Sequence, residues 1–152
     1  MKTILAPVDF SSSTAAVVAQ SAALARSFKG RVVLLSVIQP PVITSEYAPM
    51  MENLAEITAA GEKAAARQLT RLQEDLRRDD IASETVQLNG SPIPHIVEQA
   101  KKFQASYIVM GSHGHTALYD LLVGSTTHGV LMRASCPVII TPADKSKAPA
   151  KK

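Results

Sequence analysis

Short apolar runs and helix-period patterns alternate along this chain from its first residues to residue 141. Residues 3–8, Thr-Ile-Leu-Ala-Pro-Val, are apolar without alternation, as a strand buried on both faces requires. Asp9-Phe10-Ser11 then opens a helix over about residues 12–28, with Ser11, Ser12 or Ser13 placed to cap it. Its side chains are small on most faces, which suits close packing on a sheet, and Gly30 stops it. Residues 31–38, Arg-Val-Val-Leu-Leu-Ser-Val-Ile, read as a second buried strand. A proline-broken loop from Gln39 to Pro49 leads into a long helix over about residues 51–79. There Leu54, Ile57, Gly61, Ala65, Leu69, Leu72 and Leu76 recur by threes and fours as one stripe, predicting a covering helix whose stripe is core.

Residues 83–88 alternate instead, as an edge or half-exposed strand does. Asn89-Gly90-Ser91-Pro92 supplies a turn, a cap and a proline suited to a first helical turn. Ile93, Ile96, Val97, Ala100 and Phe103 then form the buried stripe of a third helix. A fourth strand over residues 106–110, a helix over about residues 125–134 and a fifth strand over residues 137–141 complete the pattern. Five strands and four helices in strict βα alternation, without internal repeats, predict a doubly wound α/β domain around a parallel sheet. In such sheets ligands sit beyond the carboxyl ends of the strands, where the strand order reverses.

The candidate chemistry lies at such an end. After Tyr107-Ile108-Val109-Met110 the chain continues Gly111-Ser112-His113-Gly114 and, nine residues later, Gly124-Ser125-Thr126-Thr127, the pattern G-x2-G-x9-G-S. Glycine lets backbone N–H groups approach phosphate oxygens with no Cβ in the way. The second piece reads as the start of a helix, whose free N–H groups and dipole favour an anion. Two anion-binding pieces at this separation suit a polyphosphate. Asp9 ends the first strand, either facing a ligand or capping the first helix; were the first and fourth strands neighbours, Asp9 and the glycines would open into one crevice.

Composition narrows the classes. The 152 residues fit one domain over residues 1–142, followed by a disordered basic tail over residues 143–152. The excess charge is in that tail, where Lys145, Lys147, Lys151 and Lys152 face one acid, Asp144; the other 142 residues hold 12 basic and 12 acidic side chains. A neutral sum with no Trp, three Phe and three Tyr gives the body no obvious footprint for nucleic acid. Cys136, the single cysteine, cannot form an internal disulfide and suits packing as a small hydrophobe in a reducing cytoplasm. The start of the chain lacks the span of a signal peptide, and no stretch approaches 18 apolar residues, so no membrane partner is expected.

The four histidines, His95, His113, His115 and His128, have no metal-ligand spacing with one another or with cysteine, so no protein-held metal is expected. A Mg2+ held through bound phosphates is the more plausible metal. No Gly-x-Ser-x-Gly elbow surrounds the serines at 11–13, and there is no P-loop Gly-Lys-Ser/Thr, no arginine near the glycine motif and no evident base. No catalytic residue is therefore expected, and slow hydrolysis of a bound polyphosphate is the most that the motif would support.

On these residues the chain resembles the ATP-binding branch of the universal stress protein superfamily, from Ile4 to about Thr141. The matching pieces are Ile4-Leu-Ala-Pro-Val-Asp9, the strand ending Leu34-Leu35-Ser36-Val37, Met110-Gly-Ser-His-Gly with its trailing Gly124-Ser125, and Cys136-Pro137-Val138. The resemblance implies a flavodoxin-like, Rossmann-like sheet of order 3-2-1-4-5, a homodimer through the last strand (residues 137–141), and ATP, ADP or AMP as ligand. By position it implies that Pro7, Val8 and Asp9 line the adenosine, with Asp9 accepting from ribose hydroxyls. It implies that the Val37 backbone reads the adenine edge and that Met110 touches base or sugar. Gly111, His113 and Gly114 would wrap the α- and β-phosphates, and Gly124, Ser125 and Thr126 would meet the terminal phosphate. Related motifs carry Lys or Arg after the second glycine where this chain has His115, so weaker and more pH-dependent binding is expected. The implied role is regulatory, in stress response. The alternatives are an interaction module of the same fold that uses no nucleotide, and a slow ATPase or phosphotransferase.

Overall fold

The computed structural model describes residues 1–40, 51–112 and 123–142, with residues 51–52 described by their backbone only. The strands are β1 (Thr3–Pro7), β2 (Arg31–Ile38), β3 (Ala82–Asn89), β4 (Tyr107–Gly111) and β5 (Val138–Thr141). They alternate with the helices α1 (Thr14–Phe28), α2 (Met51–Arg78), α3 (Pro92–Lys102) and α4 (Ser125–Arg133). All strands run parallel in the order β3-β2-β1-β4-β5, the flavodoxin-like arrangement.

Alternation along the strands feeds two cores. Ile4, Ala6 and Val8 of the first strand segment and Val32 and Leu34 of β2 face α1 and α2, where Val17, Ala25, Leu69 and Leu76 meet them. Leu5, Val33, Leu35, Ile108 and Met110 face the other way, against Ile96 and Ala100 of α3 and Val130 of α4. The central strands are apolar at consecutive positions because both of their faces are covered. β3 is the edge strand that its alternation predicts, exposed at Ala82, Glu84 and Asn89.

Three local expectations are corrected. α1 begins at Thr14, two residues late, because the preceding residues form a turn: Ser11 N–H donates to Asp9 Oδ1 (3.0 Å) and Thr14 N–H to the Ser11 carbonyl (3.1 Å). Ser13 holds the N-cap position without a side-chain cap bond. At the far end the left-handed residue is Lys29 (φ 51°), and Gly30 N–H closes back on the Ala25 carbonyl at 2.8 Å. Gly30 is needed for another reason, since a Cβ there would run into the Lys2 carbonyl oxygen.

The third correction concerns the long stripe. Ala65, Leu69 and Leu76 are buried and Leu72 half-buried, whereas Ile57 is 63% exposed and Gly61 has nothing within 4 Å of where a Cβ would sit. Glu62 takes hydrogen bonds from Gln87 and from Asn89, the last residue of β3. The α2 residues before Glu62 therefore run past the end of β3 at Asn89, by roughly 16 Å at 1.5 Å per residue, and no described strand lies beneath them.

Candidate functional site

β1 and β4 are neighbours, with Ile4 paired to Tyr107 and Leu5 to Ile108, so the chain leaves their carboxyl ends on opposite faces of the sheet. A cleft of about 710 Å³ opens at this switch point. Its floor is the strand ends: Pro7 and Val8, then Leu35 to Gln39 from β2, then Met110 and Gly111 from β4. Asp9, Phe10, Ser13, Thr14 and Val17 supply the wall at α1; Pro92, Ile96 and Gly124 to Thr127 supply the wall at α3 and α4.

Nine residues singled out in the sequence line this one cleft: Pro7, Val8, Asp9, Val37, Met110, Gly111, Gly124, Ser125 and Thr126. His113, Gly114 and His115 lie outside the described residues. The rest of the glycine motif is tied into the sheet by its backbone. Ser112 N–H donates to the Thr141 carbonyl of β5 (2.9 Å), and the Ser112 carbonyl accepts the Gly124 N–H (2.6 Å). Thr127 Oγ1 donates to the Gly111 carbonyl (2.8 Å) and Thr141 Oγ1 to the Met110 carbonyl (3.3 Å). These bonds hold the end of β4 and the start of α4 as one rigid piece.

Gly124 is the N-cap of α4, in an extended conformation, and its carbonyl accepts the His128 N–H at 2.9 Å. The N–H groups of the turn that follows have no acceptor one turn back, and Ser125 to Thr127 line the cleft. Asp9 does not cap α1; its carboxylate is exposed and takes the Ser11 N–H.

Several cleft residues were not assigned to the ligand from the sequence: Phe10, Ser13, Thr14, Ser36, Gln39, Pro92, Ile96 and Thr127. The signal that finds them is position, since each stands at the carboxyl end of a strand or the first turns of the next helix. Thr14 is the most informative. It is 8% exposed, lines the cleft, and its Oγ1 has no hydrogen-bond partner. Cys136 is half-buried outside the cleft, and desolvation pushes its thiol above the usual range, which disfavours the reactive thiolate. No group of three or more His, Cys, Asp or Glu side chains able to hold a metal occurs among the described residues. No described helix is long and apolar enough to cross a membrane.

A flavodoxin-like sheet with a glycine-flanked cleft at its switch point, one wall of it the N-terminus of a helix, defines an α/β protein with a cleft of small-molecule size. The model of the universal stress protein family matches residues 1–142, and the chain belongs to that family. It is 28% identical over 143 residues to Universal stress protein YxiE of Bacillus subtilis, covering 90% of this chain and 96% of the relative. Among solved structures it is similar to MJ0577 of Methanocaldococcus jannaschii, with a TM-score of 0.79 and 27% identity over 95% of this chain and 97% of the other. Two more distant structures share the fold. One is a universal stress protein in complex with cAMP (TM-score 0.66, 19% identity, 94% and 98% covered). The other is the universal stress protein of Archaeoglobus fulgidus in complex with dAMP (TM-score 0.64, 23% identity, 92% and 97% covered).

Proposed function

We propose that the cleft binds an adenine nucleotide, ATP or its ADP and AMP forms, and that the protein acts as a regulatory stress-response homodimer in the cytoplasm. The observation that carries this reading is the convergence of Asp9, the end of β4 and the N-terminus of α4 on one cleft of about 710 Å³, within the range of small-molecule sites. The donors present fit a nucleotide. Asp9 offers carboxylate oxygens to ribose hydroxyls, Val37 and Met110 offer apolar and backbone contact to a flat base, and Gly124, Ser125 and Thr126 offer N–H and hydroxyl donors to phosphate. Family members bound to cAMP and dAMP support the choice of base. When bound, the phosphates bring the negative charge that the helix N-terminus favours, and with it a site for Mg2+.

Among the described residues lining the cleft none is a lysine or arginine. The reading is therefore binding with a regulatory outcome, and any hydrolysis is slow.

Calorimetric titration with ATP tests it. Asp9→Ala and Gly114→Val should each weaken binding at least tenfold, the first by removing the ribose acceptor and the second by closing the loop to phosphate. Wild-type affinity in both variants would show the site to be elsewhere. Acidifying from pH 8 to pH 6 should tighten binding by placing positive charge on His113 or His115 beside the phosphates, and a flat series would remove the histidines from the site. Protein that carries no adenine nucleotide through purification and shows no heat with ATP would leave the interaction-module reading in place.

A further inference from the structure

The end of the molecule opposite the cleft gathers charge that the sequence total conceals. Where strands and helices alternate around a parallel sheet, all helices finish at the edge where strands begin. Here every last turn is basic: Arg26 in α1, Arg77 and Arg78 in α2, Lys101 and Lys102 in α3, and Arg133 in α4. Compensation of helix dipoles accounts for cations in these turns. It does not account for Lys2 and Arg31 at strand starts, where net dipoles are small.

Nor does it account for the rings. Phe28 stacks on Tyr107 with centroids 5.7 Å apart and planes 13° from parallel, and Lys2 Nζ lies 4.2 Å from the Phe28 centroid. Beside them, Arg31 donates from Nε to Thr3 Oγ1 (3.0 Å), and both Arg31 Cζ and Lys102 Nζ lie 5.7 Å from the Phe103 centroid. Half of the chain's six Phe and Tyr residues thus stand in one strip, interleaved with cations. Phe28 is 38% exposed and belongs to neither core cluster.

The acids at this end keep to the α2–β3 flank. They pair there as Arg26–Asp79 (4.0 Å), Arg31–Glu84 (3.5 Å) and Arg78–Asp75 (3.3 Å). Among the described residues no ion pair reaches Lys2, Lys29, Lys101, Lys102 or Arg133.

We propose that this strip binds single-stranded nucleic acid, its lysines neutralising phosphates and the exposed Phe28 ring, backed by Tyr107, stacking a base. Charge alone would suit any polyanion. The rings select the nucleic acid, because every base has a face to stack and a carboxylate chain has none. Lys2 is a flexible cover on Phe28, able to move to a phosphate as a base takes its place on the ring.

The test is fluorescence anisotropy of the full chain with a labelled 12-nucleotide oligouridylate, read across a potassium chloride series. Affinity should fall with salt at a log–log slope near −3, four contacted phosphates at about 0.7 each. Lys101→Gln with Lys102→Gln should bring that slope to about −1.5. Phe28→Leu should weaken binding about tenfold at an unchanged slope, and Phe28→Tyr should restore it, while circular dichroism shows both variants folded.

Three kinds of result would overturn the proposal. One is equal affinity of Phe28→Leu and wild type, or displacement of the oligonucleotide by polyglutamate at matched charge, either of which makes the strip a plain cation surface. Another is loss of binding when Lys145, Lys147, Lys151 and Lys152 become Gln, which moves the interaction to the tail. The third is displacement by ATP from wild type but not from Asp9→Ala, which moves it to the cleft. Failure of ATP to bind at all would leave this proposal untouched.

Discussion

At the scale of single residues, Thr14 and Asp9 show how the cleft differs from a surface crevice. A buried hydroxyl without a partner costs about 1–3 kcal/mol relative to one that is bonded, and Thr14 Oγ1 carries that cost in the free protein. Thr14→Val keeps the shape and removes the polar atom. The variant should be more stable by about 1 kcal/mol without ligand, seen as a melting temperature raised by a few degrees. If the hydroxyl serves the nucleotide, the same variant should gain less stability from added ATP than wild type does; an identical ATP increment would make Thr14 a bystander. Asp9 was legible as a residue of interest because a carboxylate ends an apolar strand. That its carboxylate engages the turn at Ser11, leaving Ser13 in the cap position, depends on the left-handed Phe10 (φ 61°) between them, which no sequence rule anticipates.

At the scale of elements, period and punctuation carried most of the reading. Every strand and helix expected from the sequence is present, with boundaries displaced by two residues at most, because buried parallel strands and one-sided helices leave strong patterns. What the period could not report is where a neighbour stops. The stripe of α2 keeps its spacing through Leu54, Ile57 and Gly61, yet the sheet ends near Glu62 and leaves Ile57 uncovered. Two glycines make this measurable. Gly61→Ala should stabilise the protein by about 0.5–1 kcal/mol, since the position is helical and open. Gly30→Ala should destabilise it by about 1–3 kcal/mol, since the new methyl meets the Lys2 carbonyl and one of the two backbones must shift. Urea denaturation of the pair checks both signs, and equal effects would mean that Gly30 is retained for chain freedom alone.

At the scale of the whole molecule, the order β3-β2-β1-β4-β5 leaves β5 as an edge. The Pro137 and Thr141 carbonyls point at β4, where they accept the Ile108 and Ser112 N–H groups, so the intervening Val138 and Ile140 present their backbone outward. The proposed homodimer through residues 137–141 uses that free edge. Ile140→Pro removes one outward N–H without touching the β4 ladder, as a proline on an edge strand does. Sedimentation should show the variant as a folded monomer at concentrations where wild type is a dimer, and a dimer of unchanged strength would place the interface elsewhere. Leu131 and Met132 on α4, 46% and 72% exposed, are the next surface to examine in that case.

The amino-acid sequence by itself determined the alternation of elements, the glycine motif and the likeness to a family, because each is written in neighbouring residues and local periods. Tertiary structure alone decided that Asp9 and Gly124, 115 positions apart, share a cleft, since only the pairing of β1 with β4 brings their loops to one switch point. It also decided that a body of balanced total charge has one basic, ring-bearing end. A sum over residues cannot register that, because parallel strands return every helix C-terminus to the same side.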